Sequence, residues 1–259
     1  MLTERLEENR IYNEDCLDTL ERMEDSLPDL TVTSPPYNVS LDYNTYDDNK
    51  KHDDYIEWLS EIFSMIYLKT KVGGRCVINI GDGKNGSVPT HSDIIQMMKE
   101  IGWIPMTTII WDKCQTHSRT AWGSYKSPSC PSFPTPFEYI LVFCKETRKL
   151  QWEGETDLTN NEFVRNSLAI WKFGTEHLQE LGHPAAFPVE LPKRCIRMFA
   201  YKNSLVYDPF MGSGTTAIAA YQYECRFIGS EISEEYCKIA ESRIRPLLKE
   251  RFGDIFKIR

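Results

Sequence analysis

Leu205-Val206-Tyr207-Asp208-Pro209-Phe210-Met211-Gly212-Ser213-Gly214-Thr215-Thr216, followed by Ala217-Ile218-Ala219-Ala220, sets a short apolar run, a glycine turn and a helix-forming run in immediate succession. Glycine has no Cβ, so Gly212 and Gly214 let the backbone come close to a ligand at a helix N-terminus, where unpaired N–H groups gather. The same order opens the nucleotide-binding units of α/β folds. The third position of a dinucleotide fingerprint is held by Ala217, and the spacing alone discriminates weakly. The next apolar run, Arg226-Phe227-Ile228-Gly229-Ser230, ends at Glu231. An acid at that distance suits a ribose hydroxyl, and it also suits a solvated strand end.

Outward from this unit, residues 30–33, 76–80, 103–111 and 139–143 read as strands, the last a near-continuous apolar run. Ile56, Leu59, Phe63, Ile66 and Tyr67 recur at helical spacing in a helix capped by Asp53 or Asp54 and ended before Gly73-Gly74. A second helix spans about 92–101 and stops at Gly102, a third runs from Pro188 to 199, and Ser233 caps a last one to about 248. Strands alternating with helices predict an α/β fold with a Rossmann-like, doubly wound, mostly parallel sheet. A chain of 259 residues supports one sizeable core, so 1–259 reads as a single domain. Residues 113–136 and 146–182 break the alternation and are long for simple connections.

Thr33-Ser34-Pro35-Pro36-Tyr37 leaves the 30–33 strand at its C-terminal end, where open α/β sheets bind ligands. Two prolines fix φ and remove two donors, leaving the Ser34 and Pro35 carbonyls as stiff acceptors for an exocyclic amine. The Ser34 hydroxyl adds another acceptor, and the Tyr37 ring offers a face on which a flipped-out base can stack. A proline-kinked loop accounts for the same residues when they are taken alone.

Composition bounds the chemistry. The eight cysteines include no Cys-x-x-Cys pair and the five histidines do not cluster with them, which speaks against zinc, any other metal centre or a disulfide framework. The start of the chain is polar and acidic and no apolar run approaches a membrane span, so a cytoplasmic location is expected. A formal charge of −8 is unusual for a ligand of nucleic acid. Its distribution is uneven. Lys113, Arg119, Lys126, Lys145, Arg148 and Lys149 face only Glu138 and Glu146 over 113–149, interleaved with His117, Trp122 and Tyr125. Such a stretch suits a phosphate backbone, or a solvated loop with tucked aromatics.

Taken together, the Ser34–Tyr37 and Asp208–Thr216 segments resemble the S-adenosylmethionine-dependent DNA amino-methyltransferases, in the permuted order that places the catalytic loop before the cofactor loop. The resemblance covers nearly the whole chain. It implies a catalytic loop of Ser34, Pro35, Pro36 and Tyr37. Asp15-Cys16 stands where that family reaches the cofactor adenine, and the segment from His183 to Pro188 matches one whose aromatic, here Phe187, packs on the cofactor. The implied cofactor contacts are Asp15, Cys16, Thr33, Phe187, Asp208, Phe210, Gly212, Ser213, Gly214, Thr215, Thr216, Glu231 and Ile232. Outside that frame, Cys16 reads as a small buried hydrophobe and Phe187 as ordinary core.

Within the family, Ser at the head of the loop goes with cytosine N4 and Asp with adenine N6. Ser34 therefore implies cytosine N4, with adenine N6 as the alternative. The resemblance implies double-stranded DNA as substrate, admits a cognate restriction endonuclease as partner, and leaves monomer and homodimer open. It also places a small target-recognition insertion at 146–182, with the reading of sequence shared with 113–136; the basic, aromatic stretch offers Lys113, Arg119, Trp122, Tyr125 and Lys126 as candidate DNA contacts. An oxidoreductase of the NAD type is the rival: it uses Gly212, Gly214 and Glu231 but gives the proline loop no task.

Overall fold

The structure is a computed structural model that describes residues 5–40, 45–46, 48–83, 86–114, 123–175 and 187–252. Among these, β1 (Arg10–Tyr12), β2 (Leu30–Thr33), β3 (Arg75–Ile80), β4 (Trp103–Asp112), β5 (Phe137–Lys145), β6 (Ile170–Lys172), β7 (Leu205–Asp208) and β8 (Arg226–Ser230) form one sheet. Its order is β1-β8-β7-β2-β3-β5-β4-β6. The helices are α1 (Cys16–Arg22), α2 (His52–Lys69), α3 (Thr90–Ile101), α4 (Asn160–Asn166), α5 (Glu190–Phe199), α6 (Thr215–Gln222) and α7 (Glu234–Phe252).

The strands read as apolar runs because both faces of the sheet are covered. Successive side chains point to opposite faces, and the core divides accordingly. Val77, Ile140, Val142 and Val206 join Ile196, Ala217 and Ile244, from α5, α6 and α7, in one cluster. Their strand neighbours Ile78, Leu141, Phe143, Leu205 and Tyr207 join Leu20, Leu59, Phe63 and Met98, from α1, α2 and α3, in the other.

From β1 through β8, β7 and β2 to β3 every pair is parallel. The exception to parallel alternation is β5, which runs antiparallel to both β3 and β4. Burial on both faces made β5 legible as a strand, but a one-dimensional apolar run carries no direction. Beyond it, β6 rejoins parallel to β4, so residues 170–172 form the sheet's edge, and Trp171 is buried there.

Other differences are local. The N-cap of α2 is Lys51, without a side-chain bond, and Asp53 and Asp54 lie in the first turn, where acids complement the helix dipole. Pro192 sits early in α5, where a missing N–H costs little. Gly102 takes the left-handed C-cap conformation that its position implied, with φ of 116°. The short elements β1 and α1 fall below what periodicity resolves. No described helix is long and apolar enough to cross a membrane.

Candidate active site

Four neighbouring parallel strands, β1, β8, β7 and β2, deliver their following loops to one edge of the sheet. There the loops enclose a cavity of about 340 Å³. The strand order thus brings together residues 15–16, 34–37, 209–215 and 231–232, which lie far apart in sequence. On its wall stand Asp15, Cys16, Ser34, Pro35, Pro36, Tyr37, Phe187, Phe210, Gly212, Ser213, Thr215, Glu231 and Ile232.

Thr33, Asp208, Gly214 and Thr216 are not on the wall. They build it from behind. The Asp208 carboxylate, 1% exposed, accepts from Thr33 Oγ1 at 2.7 Å, Thr216 Oγ1 at 2.7 Å and the Phe210 N–H at 3.0 Å. Burial pushes its carboxyl up to about 6, against the pull of those three donors. Gly214 has φ of +82°, and a Cβ there would lie 2.8 Å from the Cβ of Ala240. Glycine is required here for conformation and for close packing against α7.

Glu231 braces the same turn. Its Oε2 accepts from the Gly212 N–H at 2.8 Å and its Oε1 from the Ser233 N–H at 2.9 Å. Burial raises its pKa and these backbone donors lower it. After the adjacent strand β1, Asp15 caps α1, accepting from the Leu17 N–H at 2.9 Å. Cys16, the first residue of that helix, is buried, and burial pushes its thiol far above the usual range. It serves as an apolar wall and not as a nucleophile.

The β2 loop is held differently. Tyr55 Oη donates to the Pro36 carbonyl at 2.7 Å. Ser34 Oγ donates to Tyr37 Oη at 3.2 Å, and Tyr37 Oη donates to Glu138 Oε2 at 2.9 Å. Asn79 Nδ2 donates to both Tyr37 Oη, at 2.6 Å, and Glu138 Oε2, at 2.8 Å. Lys113 Nζ pairs with Glu138 Oε1. Lys113, expected on a DNA-facing surface, instead enters this network with its side chain only 22% exposed. Tyr125 and Lys126 are exposed, with the ammonium 5.3 Å from the ring centroid. Arg119, Trp122 and His117 lie outside the described residues.

Sequence reasoning missed part of the wall. Phe210 packs on Trp58 at 5.6 Å and Trp58 on Tyr46 at 5.2 Å, with Lys50 Nζ 4.9 Å from the Tyr46 ring centroid. Asn79 and Glu138 were also missed. For Glu138 the available signal was an acid at the head of an otherwise apolar strand.

The wall fits a cationic nucleoside. Among the described residues, apolar and aromatic surface from Trp58, Phe187 and Phe210 accompanies two carboxylates, Asp15 and Glu231, and one cation, Lys50. That balance favours a ligand that carries ring, sugar hydroxyls and net positive charge.

A family of DNA methylases that modify N6 or N4 amines matches residues 28–242. The chain belongs to this N6/N4 DNA methylase family. Membership makes it a DNA amino-methyltransferase that uses S-adenosyl-L-methionine, and it retires the oxidoreductase rival. Among relatives, the Type II methyltransferase M.MjaVI of Methanocaldococcus jannaschii is 39% identical over 59% of this chain and 80% of its own length. The orphan methyltransferase M.BamHII of Bacillus amyloliquefaciens is 31% identical over 87% and 91%. A Thermus thermophilus protein described as a DNA modification methylase, solved with S-adenosyl-L-methionine, superposes with a TM-score of 0.73. It is 27% identical, with 94% of this chain and 95% of that chain covered.

Proposed function

We propose that this methylase transfers a methyl group to the exocyclic N4 of a cytosine flipped out of double-stranded DNA, in a restriction–modification setting. The observation that carries the proposal is that Ser34 and the Pro35-Pro36 pair share one cavity wall with Gly212 and Glu231. S-adenosyl-L-methionine supplies an electrophilic sulfonium methyl when bound. Asp15, Phe187, Phe210, Gly212, Ser213, Thr215, Glu231 and Ile232 hold it, while Asp208, Thr33, Thr216 and Gly214 keep the turn in shape.

The amine of cytosine is a poor nucleophile because its lone pair is delocalised into the ring. Ser34 Oγ and the Pro35 carbonyl accept its two N–H groups and favour a nitrogen whose lone pair is available for in-line attack. Tyr37 supplies a ring face, and its phenol is anchored so that the ring does not swing away. No covalent enzyme intermediate is needed: the N–C bond would form as the sulfonium S–C bond breaks, S-adenosylhomocysteine would leave, and the methylated amine would release one N–H proton to water. The hydroxyl of Ser34, where an adenine-N6 enzyme of this family has a carboxylate, supports cytosine over adenine. Segments 113–136 and 146–182, with Tyr125 and Lys126, are proposed to contact DNA. The named relatives include both Type II and orphan enzymes, so a cognate endonuclease is a matter for gene context.

Nucleoside mass spectrometry of DNA from a methylation-free host expressing the chain tests the base. N4-methylcytosine is expected. N6-methyladenine without N4-methylcytosine overturns the cytosine assignment, and no methylated base in DNA overturns the whole proposal.

A further inference from the structure

A serine hydroxyl can donate or accept, so Ser34 by itself does not prefer an amine to a carbonyl. The atoms behind it remove that ambiguity. An ionised carboxylate has no hydrogen to give, so the bond between Glu138 and Tyr37 has one direction: the phenol donates to Oε2 at 2.9 Å. With its hydrogen committed, Tyr37 Oη can only accept from its other neighbours, Asn79 Nδ2 at 2.6 Å and Ser34 Oγ at 3.2 Å. The Ser34 hydrogen is thereby drawn away from the cavity, and only lone pairs face it.

Two neighbours hold Glu138 in that role: Lys113 pairs with Oε1, and Asn79 donates to Oε2 at 2.8 Å. Turning the Asn79 amide over would set oxygen against oxygen, so Glu138 also fixes its orientation. In that orientation Asn79 Oδ1 is buried with no partner among the described residues, a cost that an amide serving stability alone would not carry. Gly81 completes the seat: a Cβ there would meet Tyr37 Cε2 at 3.2 Å and Glu138 Cγ at 3.5 Å.

We infer that Glu138, oriented by Asn79 and Lys113, is a positioning and specificity-determining residue that acts through Tyr37 to make Ser34 an obligate acceptor, so that the site selects a base bearing an amine over one bearing a carbonyl. This rests on the proposed base-holding role of Ser34. It explains how a neutral hydroxyl can stand where a carboxylate, an acceptor by nature, would do the same work.

The test compares binding of two duplexes, without cofactor, that differ only at the mapped target base: cytosine, or uracil, which presents a carbonyl in place of the amine. For an adenine target the pair is adenine and hypoxanthine. The wild type is expected to prefer the amine by about a hundredfold, roughly tenfold from each of the two acceptors, Ser34 Oγ and the Pro35 carbonyl. Glu138→Gln, whose amide can face either way, and Tyr37→Phe, which keeps the ion pair intact, should each reduce that preference by about tenfold. The Pro35 carbonyl preserves the remainder. Turnover should fall on the order of 10²-fold in each variant, with little further loss in the double variant because both break one chain. Glu138→Asp should restore part of both readouts.

If both single variants keep the amine preference, the inference fails while the methyltransferase assignment stands. Additive losses in the double variant also overturn it, because they place Glu138 outside the chain to Ser34. If the wild type methylates no DNA and shows no amine preference, the underlying site assignment has failed instead. Thermal melting alongside identifies a Glu138→Gln that does not fold, in which case Tyr37→Phe decides.

Discussion

The loops that follow β2 and β7 lie side by side on one cavity, yet they are stiffened by opposite means. The β7 loop is shaped around buried carboxylates that tie it to its neighbours: Asp208 takes Thr33 at the end of β2, Thr216 and the Phe210 N–H, and Glu231 takes the N–H groups of Gly212 and Ser233. Its charge is spent inward, and it meets a ligand through glycine backbone and apolar side chains. The β2 loop is stiffened by two prolines, with Tyr55 on the Pro36 carbonyl. Its side-chain hydroxyls run in a chain from the cavity at Ser34 back to Glu138. One loop binds by shape, and the other presents chemistry. Damage to the first should therefore appear in stability and cofactor affinity, and damage to the second in turnover.

The largest expected effect breaks the comparison from the chemical side. Tyr37→Ala removes both the stacking face and the anchor of Ser34, and single-turnover methyl transfer should fall on the order of 10³-fold. Cofactor affinity measured by calorimetry should change by less than about threefold. A comparable loss in both quantities would show that the two loops are not functionally distinct.

Asp208 tests the shape side through pH. Burial holds its carboxyl at about 6, above the ordinary 3.8, so the folded state binds a proton that the unfolded chain has already released. The stability it contributes is present below about pH 4 and is lost as pH rises through about 6. Urea denaturation should find the wild type losing about 3 kcal/mol across that window relative to Asp208→Asn. Parallel pH profiles would show that Asp208 does not titrate there.

Gly214→Ala forces a side chain into a left-handed conformation and against Ala240. A loss of about 2 kcal/mol in denaturant unfolding is expected. Smallest is Glu231→Gln, which weakens the brace on Gly212 while keeping its size. We expect cofactor affinity to fall by about tenfold with the maximal rate of the saturated enzyme nearly unchanged. A fall in that rate alone would move Glu231 to the chemical side.

Much of this contrast was legible in the chain. The strand, turn and helix at 205–222 announced themselves because glycine and proline punctuate them and because a parallel strand buried on both faces is apolar throughout. The proline loop was legible because few structural roles call for its residues. The support behind it was not. Tyr37 and Glu138 are separated by 101 positions and meet because β5 turns antiparallel between β3 and β4. Lys113 illustrates the cost: its position among cations suggested a phosphate contact, whereas the fold turns it onto Glu138. Thr33, Asp208 and Thr216, named from the sequence as cofactor contacts, form a hydrogen-bonded layer behind the cavity wall. Motif spacing locates a turn but does not separate its wall from its scaffold.

A crystal structure of the chain with S-adenosylhomocysteine and a duplex carrying its mapped site tests the central claim most directly. The account predicts the target cytosine outside the stack, its N4 within hydrogen-bond distance of Ser34 Oγ and the Pro35 carbonyl, and the nucleoside between Asp15 and Glu231 in the same cavity. A target base whose amine faces away from Ser34, or a nucleoside in a separate cavity, would contradict it.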